Sequence, residues 1–211
     1  MDITYIIIVL VVILFSMTLH EVMHGLVAYW LGDDTAKSQG RLTLNPVKHI
    51  DPFLTILLPL TLAALGGPVF GGAKPVPFNP ARVKYDEWGA AMVAIAGPLT
   101  NFVIAFLLFA GFVIAGTPPE SSFIGKFLLT GVYVNLGFFI FNMIPIPPLD
   151  GSRVLYALAP EFVRRAMEVM ERYGLFVVFA IILLAGPLLS QIMLTSMSAI
   201  YQLFATIFGL I

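Results

Sequence analysis

The sequence predicts an all-α polytopic membrane protein with about five to six transmembrane helices, a small membrane-associated β element and one re-entrant segment. Three observations carry this. Apolar residues make up 59% of the 211 positions and charged residues only 11%, far from the balance of a soluble globular domain. Those apolar residues fall into runs long enough to cross ~30 Å of hydrocarbon. The polar stretches between the runs are short and contain no linker, repeat or low-complexity tract, so residues 1–211 are expected to form a single membrane-embedded domain. The composition also excludes other classes. With a net charge of −1 the expected surroundings are lipid, and nucleic acid is not expected as a partner. Without cysteine the fold cannot rest on disulfides, and any zinc site has to be built from His, Asp or Glu.

Each element follows from its residues. Residues 3–31 are almost free of charge, interrupted only by Glu21 and two histidines, and at ~1.5 Å per residue they are ample for a crossing. The run is too long for a signal-peptide core and lacks a basic leader and a small-residue cleavage site, so it is read as retained. Gly32 and the Asp33-Asp34 pair end this helix. Ser38 to Asn45 alternates residue types as a short strand does and stops at Pro46. Residues 53–66 are apolar but number only fourteen, contain Pro59 and run into a glycine-rich stretch, the pattern of a re-entrant element. Residues 88–115 and 123–146 are each long enough to cross, and the turn around Gly116, Pro118 and Pro119 makes them an antiparallel pair. Residues 152–173 carry four arginines and three glutamates in a helical pattern. Residues 175–189 and 191–210 are expected to close the chain as a helical hairpin, about 175–210, turning at Gly186-Pro187.

Orientation follows from the basic residues. Ten of the eleven lie in residues 32–87 and 151–174, with only Lys126 elsewhere, so both segments are expected to face the cytoplasm and the Gly116 turn the outside. The protein is thus expected in the cell membrane, multi-pass. Trp30 and Trp88 read as interfacial anchors at the cytoplasmic side, and the scattered phenylalanines and methionines as packing and lipid contact.

One motif stands inside the first apolar run. His20-Glu21-Val22-Met23-His24 is an HExxH sequence, and on a helix the two imidazoles at i and i+4 stand one turn apart on one face, close enough to share a tetrahedral zinc. Glu21 beside them is placed as general base, since a carboxylate there can take a proton from water acidified by the ion and pass it to a leaving amine. At membrane depth each such polar group costs roughly 2.5–3.5 kcal/mol, so three within five residues point to metal binding rather than chance. Two histidines leave the site incomplete. Asp150 is the expected third ligand: it follows the fourth hydrophobic run, where Pro145, Pro147 and Pro148 break the helix at the membrane edge. His24 and Asp150 then both lie toward the cytoplasmic ends of parallel helices, provided that residues 53–66 do not cross.

These residues resemble the site-2 protease family of intramembrane zinc metalloproteases, peptidase family M50, in which an HExxH helix and a later Leu-Asp-Gly segment supply the ligands. The resemblance extends over His20–His24, the segments 40–52 and 73–80, Ala96–Asn101 and Asn142–Gly151, in that order along the chain. It implies a metalloendopeptidase with one Zn2+, cleaving peptide bonds within or beside a transmembrane helix of a protein substrate, with a catalytic core about 3–151. The closest likeness is to the compact form without a PDZ or CBS domain. Asn101 and Asn142 resemble family asparagines that hold substrate backbone or the oxyanion, the alternative being interhelical hydrogen bonding. An unwound substrate is expected to add as a strand to Ser38–Asn45 or to Lys74–Phe78. His49 is read as an interfacial cap rather than an accessory ligand. Two rival readings stand beside the protease: a catalytically inactive zinc-binding protein or metal transporter using the same residues, and a structural membrane protein whose polar groups bridge helices. Glu21 separates the first, because transport needs no base beside the metal; zinc stoichiometry separates the second.

Overall fold

A computed structural model describes residues 3–57, 61 and 72–211. Seven α-helices order these residues: α1 (Ile3–Trp30), α2 (Thr35–Ser38), α3 (Asp86–Ile114), α4 (Phe123–Asn142), α5 (Gly151–Leu158), α6 (Glu161–Tyr173) and α7 (Leu175–Ile207). Four of them, α1, α3, α4 and residues Phe176–Ile207 of α7, are long and apolar enough to cross a membrane. The count is therefore four among the described residues, below the five to six expected.

The helix ends have local causes. At the end of α1, Gly32 adopts φ 111°, Asp33 N–H donates to Ala28 O and Gly32 N–H to Tyr29 O, the paired bonds that close a helix on a left-handed glycine. Gly116 ends α3 in the same way, with Thr117 N–H on Phe112 O and Gly116 N–H on Val113 O. Six residues after Gly116 the Ser122 hydroxyl accepts from Gly125 N–H and starts α4. The α3–α4 hairpin is thus fixed by residues visible in the sequence.

Helix α3 is the centre of the bundle, packed against α1, α4 and α5. Its first half buries Gly89, Ala90, Ala91, Ala94, Ala96 and Gly97, small residues that let neighbouring backbones approach where lipid offers no hydrophobic drive. Its second half contributes Ala105 and Phe109 to an apolar cluster with Val132, Leu136 and Ile140 of α4 and Phe204 and Ala205 of α7. Phe109 meets Tyr201 edge-on at 5.0 Å.

The C-terminal hairpin is corrected: α7 runs as one helix through Pro187. A hairpin would need two crossings of roughly 17–25 residues each, and the fifteen residues 175–189 are too few for the first. A proline inside an apolar helix is tolerated at membrane depth because neighbouring groups and local adjustment satisfy the freed carbonyl. Because Phe204 packs against Phe102 and Phe106 in the later half of α3, the end of α7 lies against the half of α3 that leads to the Gly116 turn.

The β element is also corrected, since no strand occurs among the described residues. Thr35–Ser38 is one helical turn, and Arg41, Thr43 and Asn45 find their amide partners locally, on Ala36 O, Arg41 O and Thr43 Oγ1. No ladder remains to be built. The re-entrant segment lies largely outside the described residues; only 53–57, in a π-helical turn, and Thr61 fall within them. The Thr55 hydroxyl donates to Gly72 O at 2.7 Å, so the chain stands at one place before residue 58 and after residue 71. Gly72 to Asn79 then runs without regular structure along α1, held by Lys74 N–H on His49 O and by Arg41 Nη2 on Lys74 O.

Beyond α4 the short α5 and the amphipathic α6 form a charged rim. Arg153 pairs with Glu171, Tyr156 Oη donates to Glu168, and the Arg164 guanidinium donates to Ala157 O and Ala159 O while facing Glu87 of α3 at 3.6 Å.

Candidate metal centre

Three side chains from two distant parts of the chain converge on one point. His20 Nε2 and His24 Nε2 lie 3.0 Å apart, and Asp150 Oδ2 stands 3.2 Å from the first and 3.5 Å from the second. Four ligands at ~2.0–2.1 Å around a tetrahedral zinc stand about 3.3–3.4 Å from one another, so these three edges fit such a site. The electrostatics agree. Val93 O, which can only accept, lies 2.8 Å from His24 Nδ1, placing the proton there and leaving Nε2 with its lone pair. Lone pairs and a carboxylate facing one another at this range repel unless a cation lies among them. Glu21 joins the cluster, with one carboxylate oxygen within 4.8 Å of a ring nitrogen of each histidine.

Local sequence explains each placement. The i, i+4 spacing on α1 puts the two rings together, their planes at 86°. Asp150 stands at the N-cap of α5, where an aspartate ordinarily accepts from its own helix, yet it makes no such bond. Its carboxylate turns to the histidines instead. Gly151 keeps that corner tight: a Cβ there would meet Met143 O at 2.3 Å. Gly97 of α3 lies directly against the cluster, and a Cβ on it would stand 2.4 Å from His24 Nε2 and 2.6 Å from His20 Nε2.

A cavity of about 520 Å³ opens on this cluster. Its walls include His20, Glu21 and His24, most of the run from Gly72 to Phe78 without Lys74 and Pro77, Asn142 and Asp150, and the Arg153–Glu171 pair. Val76 N–H donates to Glu21 Oε2 at 2.8 Å. Because Pro75 and Pro77 carry no N–H, Val76 offers the one main-chain donor of that tripeptide.

The two asparagines part company. Asn142 borders the cavity and donates to Phe138 O at 3.0 Å, which leaves its Oδ1 for other use. Asn101 fits the alternative of interhelical hydrogen bonding: it is fully buried, away from the cavity wall, with Oδ1 2.6 Å from His20 Nδ1 and Nδ2 donating to Asn135 Oδ1 at 2.9 Å. Its amide oxygen meets the histidine and its amide nitrogen another helix. His49 lies outside the cluster, buried, with Nε2 2.9 Å from Thr43 O, as a capping residue does. Sequence reading missed Asn135, Ser16 and Gly97. A lone asparagine in the apolar run of α4 was the available signal for the first, since polar groups at that depth are expensive.

The profile of peptidase family M50 matches residues 8–125 and 116–186. The chain is 41% identical to the "Putative zinc metalloprotease YwhC" of Bacillus subtilis, over 97% of this chain and 92% of that one. It is 33% and 32% identical to the Rip2 proteins of Mycolicibacterium smegmatis and Mycobacterium tuberculosis, which bear the same descriptor, over 84% of this chain and 66% of theirs. No solved structure matches. The family profile covers most of the length and includes the histidine helix, α3, α4 and Asp150, and on that ground the chain belongs to peptidase family M50.

Proposed function

We propose that this protein is an intramembrane zinc metalloendopeptidase that hydrolyses peptide bonds within or near transmembrane segments of membrane-protein substrates. The observation that carries the reading is the convergence of His20 Nε2, His24 Nε2 and Asp150 Oδ2 within 3.5 Å, beside Glu21. These three residues hold one zinc ion, and the fourth position is left to water or substrate. When bound, zinc supplies Lewis acidity, which acidifies water and polarises a carbonyl. Glu21 is the general base. Its Oε2 is held by Val76 N–H, which orients the carboxylate, and Oε1 takes the proton from water and returns it to the leaving amine.

A transmembrane helix hides its carbonyls in internal bonds, so the scissile segment has to be unwound before it reaches the cavity. The wall formed by Gly72, Ala73, Pro75, Val76 and Phe78 is the surface that it meets beside Glu21, kept extended at Val76 by the proline that follows it. Asn142 Oδ1 or Nδ2 is then within the cavity to hold substrate backbone. The concentration of basic residues in segments 32–87 and 151–174 supports an active site toward the cytoplasmic side of the cell membrane.

The test pairs Glu21→Gln with the wild type on a model transmembrane substrate and measures zinc in both. Cleavage is expected to fall by about 10²–10⁴-fold with zinc retained. Undiminished cleavage removes Glu21 as base, and a wild type that binds no zinc removes the metal reading altogether.

A further inference from the structure

Behind His20 a chain of buried polar groups crosses three helices. His20 Nδ1 on α1 lies 2.6 Å from Asn101 Oδ1 on α3; Asn101 Nδ2 donates to Asn135 Oδ1 on α4 at 2.9 Å; and Asn135 Nδ2 donates to Gly131 O at 2.8 Å and to Ser16 Oγ at 2.9 Å. Asn101 and Asn135 are fully buried and Ser16 nearly so.

We propose that Asn135 is a positioning residue for the metal centre, setting through Asn101 which nitrogen of His20 carries the proton. The inference rests on the reading of His20 as a zinc ligand. Only an imidazole protonated at Nδ1 presents Nε2 as a donor to metal, and which nitrogen is protonated follows from the bond that the other one makes. Asn101 by itself does not decide this. Its amide presents oxygen or nitrogen equally well, and with nitrogen toward His20 the ring proton would move to Nε2 and block the ligand atom.

The decision is made further back. Gly131 O is a main-chain carbonyl and can only accept, so Asn135 has to turn Nδ2 toward it and Oδ1 toward Asn101. Asn101 must then direct Nδ2 to Asn135 and Oδ1 to His20, and the ring proton is held at Nδ1. The main-chain carbonyl of Ser16, 3.5 Å from Asn101 Nδ2, favours the same sense. His24 needs no such relay, because Val93 O holds its Nδ1 proton directly. The two ligands are thus set by different means, and a change at Asn135 should reach His20 alone.

The chain has three histidines, so their ring nitrogens are resolvable in long-range proton–nitrogen correlation spectra of the full chain with labelled histidine. Spectra are recorded in detergent after chelation, at a pH alkaline enough that the imidazoles are neutral. The wild type is expected to show Nδ1–H at both His20 and His24. In Asn135→Leu, His20 is expected to gain an Nε2–H population while His24 stays unchanged, and zinc affinity to drop about 10–100-fold. Ser16→Ala, which spares the Gly131 bond, is expected to leave both rings as in the wild type. Asn135→Ser, too short to reach Asn101, serves as a second variant if the leucine protein does not fold. An unaltered His20 in the Asn135 variants, an equal change at His24, or an altered His20 in Ser16→Ala overturns the proposal. Because the spectra are read without metal, a wild type that binds no zinc would remove the protease reading and leave this result legible.

Discussion

At the scale of single residues, the position most sensitive to a small change is one that ligates nothing. Gly97 stands where a methyl group would lie 2.4 Å from His24 Nε2 and 2.6 Å from His20 Nε2, closer than any real contact, on a helix that α1, α4 and α5 all pack against. Gly97→Ala is therefore expected to lower zinc affinity at least about tenfold with every ligand intact, since displaced supporting groups cost on that order. Metal analysis beside a thermal melt checks this, and full zinc occupancy in a folded alanine variant would show that the rings can move aside. The convergence of His20, His24 and Asp150 was legible in the sequence. A spacing of four on a helix dictates a common face, and a carboxylate following a proline-broken crossing has few other reasons to stand there. The asparagines were legible only as polar groups at depth. Nothing in the sequence distinguishes Asn142, facing the cavity, from Asn101, which faces another amide, because that depends on how α3 and α4 are rotated against each other.

At the scale of elements, the junction between α1 and α3 hangs on Asp33. It is fully buried and accepts from Thr35 Oγ1 at 2.5 Å, Asn79 N–H at 2.6 Å and Thr35 N–H at 3.1 Å, tying the end of the histidine helix to the run that leads into α3. Burial pushes this carboxyl up, but the Thr35 hydroxyl and the Asn79 and Thr35 amides outweigh it, with help from Arg82, and hold it below its usual 3.8. A carboxyl lowered on folding stabilises the fold fully above the unfolded value and loses that contribution as pH falls through the lower folded one. Asp33→Asn is expected to cost about 1.5–3 kcal/mol near neutrality, as for hydrogen bonds to a charged group, and progressively less below about pH 4. Thermal unfolding of both proteins at pH 7 and pH 3 measures it, and an equal gap at the two values would mean that the charge is immaterial. The Asp33-Asp34 pair was read from sequence only as a helix stop, since its partner at residue 79 is remote along the chain. The strand expected over Ser38–Asn45 failed for a related reason: alternation marks a strand only where a neighbour offers a ladder, and here the amides are met within their own turn.

At the scale of the whole molecule, the correction at α7 changes where the chain ends. A hairpin would return the C-terminus to the face of the metal centre, whereas a single crossing helix is expected to carry Ile211 toward the face of the Gly116 turn. The expected orientation then has residues 32–87 and 151–174 in the cytoplasm, with the turn and both ends of the bundle outside. The absence of native cysteine makes this directly measurable. Single cysteines at Ser38, Ser121 and Ile211, all exposed, are treated in intact cells with a membrane-impermeant maleimide. Labelling is expected at Ser121→Cys and Ile211→Cys and not at Ser38→Cys until the membrane is opened. Labelling at Ser121→Cys alone would restore the hairpin, and labelling at Ser38→Cys alone would invert the molecule. The second outcome would turn the cavity to the outside, and with it the side on which an unwound substrate segment meets Glu21, because the Gly72–Phe78 wall and the Arg153–Glu171 pair both belong to the face that carries the basic residues.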